Sequence, residues 1–95
     1  MKKFMLLHYG FENPTDEIMA AWGEWFRSIA GRLTAQGGFA AGREITGEGV
    51  RELPWDENCI TGYNIITAES LEEAEAIARS NPFITGIRVY EIREE

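Results

Sequence analysis

Apolar positions recur at two different periods along this chain, and the change of period marks out its elements. From Lys3 to Tyr9 the alternation is that of a strand, with Phe4, Leu6 and His8 on one face and Lys3, Met5, Leu7 and Tyr9 on the other. Both faces are largely apolar, which implies cover on both sides. A loop from Gly10 leads into "NPTDE", a helix start. Asn13 or Thr15 is available as the cap, Pro14 suits the first turn, and Asp16 and Glu17 suit the positive end of the helix. From Asp16 to Gln36 the residues Ile18, Trp22, Trp25, Phe26, Ile29 and Leu33 fall largely at spacings of three and four. This predicts one amphipathic helix, ended by the glycines of "QGG" at Gln36–Gly38.

Phe39–Ile45 then predicts a second strand, and a mixed connection follows with a short extended piece around Val50–Leu53. Cys59–Ala68 is rich in β-branched and aromatic residues and reads as a strand. Ile60 and Ile66 fall on one of its faces, Tyr63 and Ile65 on the other. Ser70 with Glu73 three residues later is a capping box. It opens a helix whose inward stripe is Leu71, Ala74, Ile77 and Ala78, and Asn81-Pro82 stops it. Thr85–Ile92 is the last strand, followed by a charged tail, Arg93 to Glu95.

The order βαββαβ is that of a split βαβ pair. It predicts an α+β, ferredoxin-like sandwich: a four-stranded antiparallel sheet with two helices on one face. Helices on one face leave the other apolar face bare. A second copy packed sheet to sheet about a two-fold axis would cover it, so a homodimer of the dimeric α/β barrel type is expected.

Composition narrows the function classes. The chain has 95 residues, enough for a single domain, 1–95, with a core that gains from a partner subunit. Its net charge is −7, which argues against nucleic acid, whose recognition needs a basic stripe, and against an anionic membrane surface. Cys59 is the only cysteine, so an intramolecular disulfide and a thiolate metal cluster are both out of reach. The apolar run in "MKKFMLL" is too short for a secretory signal core, and no segment approaches the length of a membrane span. A cytoplasmic protein is expected.

"MKKFMLLHYG", "MAAWGEWF" and "ITGYNIITAESLEEAEAIARSNPF…GIRVYEI" together resemble the YCII-related family, and the resemblance covers nearly the whole chain. It implies the same ferredoxin-like chain paired into a dimeric α/β barrel. For some members a His–Asp pair is the proposed catalytic dyad, with its histidine on the first helix. The matching stretch here, Ala20–Ala30, holds no histidine, so the dyad does not carry over. The "DGPF" loop of one branch of the family is replaced by "LPWDEN", Leu53–Asn58, in which Asp56 alone is suited to acid–base work.

His8 is the sharpest site candidate. It reads as a general base or ligand-orienting donor, with Tyr9 and Arg43 as a nearby phenol and cation, or as a strand-end histidine satisfied by a carbonyl or carboxylate. Trp22, Trp25 and Phe26 read as an aromatic wall for a planar small molecule, or as core. Asp56 is a second acid–base candidate on a short acidic loop, where solvation is the plain alternative. One histidine does not make a transition-metal site, and no phosphate-binding glycine loop is present, so neither metal nor other cofactor is expected. The leading expectation is a dimeric small-ligand-binding module without established catalysis. A small enzyme using His8 or Asp56 on an organic substrate, and a structural or regulatory interaction domain, are the alternatives.

Overall fold

A computed structural model of the chain describes residues 1–94; of the charged tail, Glu95 lies outside them. Six strands and two helices follow in the order β1 (Lys2–Tyr9), α1 (Asp16–Ile29), β2 (Leu33–Gly38), β3 (Arg43–Thr46), β4 (Gly49–Glu52), β5 (Ile60–Ala68), α2 (Leu71–Arg79) and β6 (Gly86–Glu91). The main sheet is antiparallel and ordered β2-β5-β1-β6, while β3 and β4 form a separate two-stranded hairpin. This is the α+β, ferredoxin-like architecture expected from the pattern, with a hairpin arm inserted between β2 and β5. No helix among the described residues is long and apolar enough to cross a membrane.

Pairing in β1 decides what each face holds. Phe4 opposes Ile66 and Leu6 opposes Asn64 on β5, while Leu6 opposes Val89 and His8 opposes Ile87 on β6. These side chains meet the helices. Phe4, Leu6, Ile66 and Ala68 are buried with Trp25 and Ile29 of α1 and Ala74 and Ala78 of α2. Met5, Leu7, Tyr63 and Ile65 lie in register on the opposite face, half-buried with no helix over them. Arg88 and Tyr90 of β6 share that open face, where the Arg88 guanidinium sits 4.8 Å from the centre of the Tyr9 ring.

Local chemistry sets the helix starts as expected, with Thr15 rather than Asn13 capping α1. Ser70 caps α2 by accepting from the Glu73 N–H at 3.1 Å, and the Glu73 carboxylate returns to the backbone of Glu69. Arg32 binds that same carboxylate and holds its pKa below the ordinary range. Trp25 ties the helices together, its indole N–H reaching Ile77 O at 3.2 Å and Ser80 Oγ at 3.1 Å. A buried indole N–H needs such partners.

Two elements differ from the pattern-based expectation. The first helix stops at Ile29, not Gln36, and Leu33–Gly38 is a strand rather than the helix end. Leu33 fits the helical stripe, but opposite Ile66 it reaches the same core from a strand. Gly37 is tolerated in β2 because the Tyr63 ring occupies its side-chain space; a Cβ there would lie 2.6 Å from Tyr63 Cε1. The second strand expected over Phe39–Ile45 is displaced accordingly. Only Arg43–Ile45 of it is extended, as part of β3, paired not with the main sheet but with β4 across the turn at Gly47.

Candidate functional site

Between α1 and the β2–β5 edge of the sheet lies a cleft of about 780 Å³, within the size range of small-molecule sites. Ile18, Met19, Trp22, Gly23 and Phe26 of α1 line one wall. The backbone-rich edge formed by Gln36–Gly38 and Thr61–Asn64 lines the other, with His8 between them. Among the described residues, no Asp, Glu, Lys or Arg side chain lines it.

The narrow wall depends on side chains that are missing. A Cβ on Gly62 would lie 2.8 Å from the carbonyl oxygen of Gly37, so β2 and β5 approach as closely as they do only with glycine there. Beside it the ladder between β1 and β5 shifts. His8 opposes Gly62 but Tyr9 opposes Ile60, leaving Thr61 as an extra residue. The Thr61 hydroxyl donates to the His8 carbonyl oxygen at 3.3 Å. This bulge turns Ile60 onto the open face beside Tyr9, correcting the expectation that Ile60 and Ile66 share a face.

His8 faces the helices and is 7 % exposed. Its Nε2 hydrogen-bonds the side-chain oxygen of Asn64, also buried. A carbonyl oxygen only accepts, so Nε2 carries the proton. Trp22 and Trp25 meet the imidazole edge-on, with ring centres 5.2 and 6.1 Å away. Burial lowers the His8 pKa below 6.5, and the Asn64 bond opposes that shift only in part. The imidazole is therefore neutral near pH 7.

This makes a prediction about pH. With the folded pKa below the unfolded one, the unfolded chain takes up the proton first, so stability is complete above about pH 6.5 and falls as pH drops through the window below it. Urea titrations in steps from pH 7.5 to 5 are expected to show this loss, and a His8→Gln variant to show less of it. Identical pH profiles for the two proteins would refute the assignment.

Of the other residues singled out from the sequence, Trp22 and Phe26 line the cleft, with ring centres 5.8 Å apart. Trp25 does not line it and is core. Tyr9 lies on the open face, and Arg43 is exposed on the hairpin arm. Neither is beside His8 in the cleft. Asp56 lines a second pocket, of about 920 Å³, beneath the arm on the open face with Leu7, Tyr9, Phe39, Leu53 and Trp55. Its carboxylate accepts from the Asn58 N–H at 2.9 Å, a local turn bond. His8 and Asp56 therefore line different pockets and do not act on one substrate atom. Among the described residues no three His, Cys, Asp or Glu side chains converge on a metal-sized site.

Asn64 is the one polar partner of His8 in the cleft that the sequence pattern did not single out. Its signal was a polar side chain on the Ile66 phase of a strand otherwise filled by apolar residues, a position that needs a buried partner.

The family model for the YCII-related domain matches residues 2–95. Among solved structures, the chain is similar to 5-chloro-2-hydroxyhydroquinone dehydrochlorinase (TftG) from Burkholderia phenoliruptrix AC1100 in complex with 2,5-dihydroxybenzoquinone. The TM-score is 0.60 at 16% sequence identity, over 98% of this chain and 95% of that one. At that identity the likeness concerns the fold alone. No curated protein matches the chain.

Proposed function

The chain belongs to the YCII-related family, and we propose that it works as a cytoplasmic homodimer whose helix–sheet cleft binds a small, flat, uncharged organic molecule. One observation carries this reading: the cleft joins the aromatic surfaces of Trp22 and Phe26 to a single buried polar pair, His8 with Asn64, and among the described residues no charged side chain lines it. Apolar walls supply affinity and a few placed polar groups supply orientation. The similar dehydrochlorinase holds a flat single-ring molecule, 2,5-dihydroxybenzoquinone. Acid–base catalysis has less support, because no carboxylate shares the cleft with His8. The dimer is argued from the open face, where Met5, Leu7, Tyr63 and Ile65 make an apolar surface that a second copy would bury.

Gly23 offers a direct test. It lines the cleft from α1, and a Cβ there would meet only the mobile end of Arg27, at 3.7 Å. Gly23→Leu therefore fills the cleft without entering the core and replaces a poor helix former with a good one. A thermal-shift panel of small neutral aromatics is expected to give hits that stabilise the natural chain but not Gly23→Leu. No hits, or equal hits with both proteins, would overturn the cleft reading. Light scattering at micromolar concentration is expected to give twice the chain mass; a monomer would remove the dimer from the proposal.

A further inference from the structure

Beneath the hairpin arm, on the sheet face away from the helices, the second pocket encloses about 920 Å³ and shares only Gly38 with the cleft. Phe39, Leu53, Trp55 and Ile60 line it and are each 38–44 % exposed, so their surfaces are open to an occupant. Large apolar side chains gathered around a hollow mark a binding surface, whereas scattered ones do not. Each of the two rings is braced by another: Phe39 stacks on Tyr63 with ring centres 5.7 Å apart, and Trp55 lies against Phe11 at 5.5 Å.

Charge selects the occupant. Glu44, Arg51 and Asp56 are the ionised side chains among the lining residues. Arg51 is held by Glu44, with Nε 3.0 Å from Oε1, whereas Asp56 makes no ion pair among the described residues. The lining therefore combines an uncompensated carboxylate with exposed aromatic rings, in a chain of net charge −7. Both features attract cations. Tyr9, which also lines the pocket, already has a cation over its ring: the guanidinium of Arg88, a residue outside the lining.

We propose that this pocket binds an organic cation, an alkylated ammonium group whose methyl groups rest on Trp55 and Phe39 and whose charge is met by Asp56. The site lies on the opposite face from the cleft and stands without the cleft reading. An anion would meet the Asp56 carboxylate and no free lining cation. A bare metal ion would leave the apolar walls uncovered, and no three metal-ligating side chains converge among the described residues. A second copy seated over the open face is the competing occupant.

Choline and 3,3-dimethylbutan-1-ol have the same shape and differ in charge. The chain has three tryptophans, and they report separately: Trp55 on this pocket, Trp22 on the cleft and Trp25 on the core. With ¹⁵N-labelled indoles, choline is expected to move the Trp55 signal and to leave those of Trp22 and Trp25 in place. It is expected to bind about tenfold more tightly than its neutral isostere. Asp56→Asn removes the charge and keeps an oxygen for the Asn58 N–H. That variant is expected to bind choline several-fold more weakly and the isostere equally well. Equal affinities of the natural chain for the two molecules, a choline shift confined to Trp22, or an unchanged choline affinity in Asp56→Asn would each overturn the inference. So would no choline binding by a chain that scatters light as a dimer, the result expected if the second copy fills the pocket. None of these outcomes bears on the cleft, which is tested with neutral aromatics and Gly23→Leu.

Discussion

Gly10→Ala is expected to destabilise the protein by about 3 kcal/mol. Gly10 ends β1 with a φ of 100°, a conformation that costs an L-residue roughly 1–2 kcal/mol. Space is denied as well. A Cβ would lie 3.0 Å from the backbone nitrogen of Thr85 and would run into that residue's hydroxyl. Overpacking of this kind typically adds about 1–3 kcal/mol. The neighbours cannot easily give way, because the Gly10 N–H is bonded to Cys59 O at 2.8 Å and Thr85 N to Tyr9 O at 3.3 Å. For a domain of this size the loss corresponds to a fall in Tm of about 15 °C. Thermal unfolding by circular dichroism checks it; a change of less than about 1 kcal/mol would show that the turn relaxes around the new side chain.

Phe4→Ala is expected to cost more, about 3–5 kcal/mol, the range for emptying a fully buried aromatic site. Phe4 is completely buried on the middle of β1, opposite Ile66 on one side and Glu91 on the other, with the helices above it. Strands on both sides hold the backbone in place, so the cavity has little room to collapse. A chain of this length has roughly 5–14 kcal/mol of stability in all, so the variant is expected to sit near the edge of folding. Its urea midpoint should fall with an unchanged slope. A loss under about 2 kcal/mol would mean that α1 settles into the gap.

Much of the fold was legible because the deciding forces are local. The capping box at Ser70 and Glu73, the stop at Asn81-Pro82 and the two-faced apolar strands Lys2–Tyr9 and Ile60–Ala68 each carry their signal within a few residues. The boundary between α1 and β2 did not. Leu33 satisfies the helical period and the strand pairing equally, and Ile66, thirty-three residues away, settles the matter. Gly37 and Gly38 read as a helix end because the Tyr63 ring that makes room for a strand glycine is also remote. The hairpin turn at Gly47 has a local signal, a glycine-rich turn between Ile45 and Val50, but its flanking strands are too short and too exposed to stand out from an irregular connection.

The site was legible by half. His8, Trp22 and Phe26 were identified from residue type and period, and they do come together. Tyr9 and Arg43 were grouped with His8 by nearness in sequence or by charge, and strand alternation together with the arm carries both away from it. The Thr61 bulge, which has no residue signature of its own, controls which face Ile60 takes.

The place of β1 in the sheet has a consequence for synthesis. It lies between β5 and β6, the last two strands in chain order, and pairs with both. On the ribosome, Phe4 and Leu6 are made well before Gly86–Glu91, the strand that completes the ladders burying them. Before β5 is made the central strand has two open edges, and until β6 follows it still has one, with an apolar surface on each face. Sheet closure is therefore a late step, dominated by contacts distant in sequence, a slow class of folding event. Over that interval the unpaired edge and the apolar faces are the surfaces most open to aggregation.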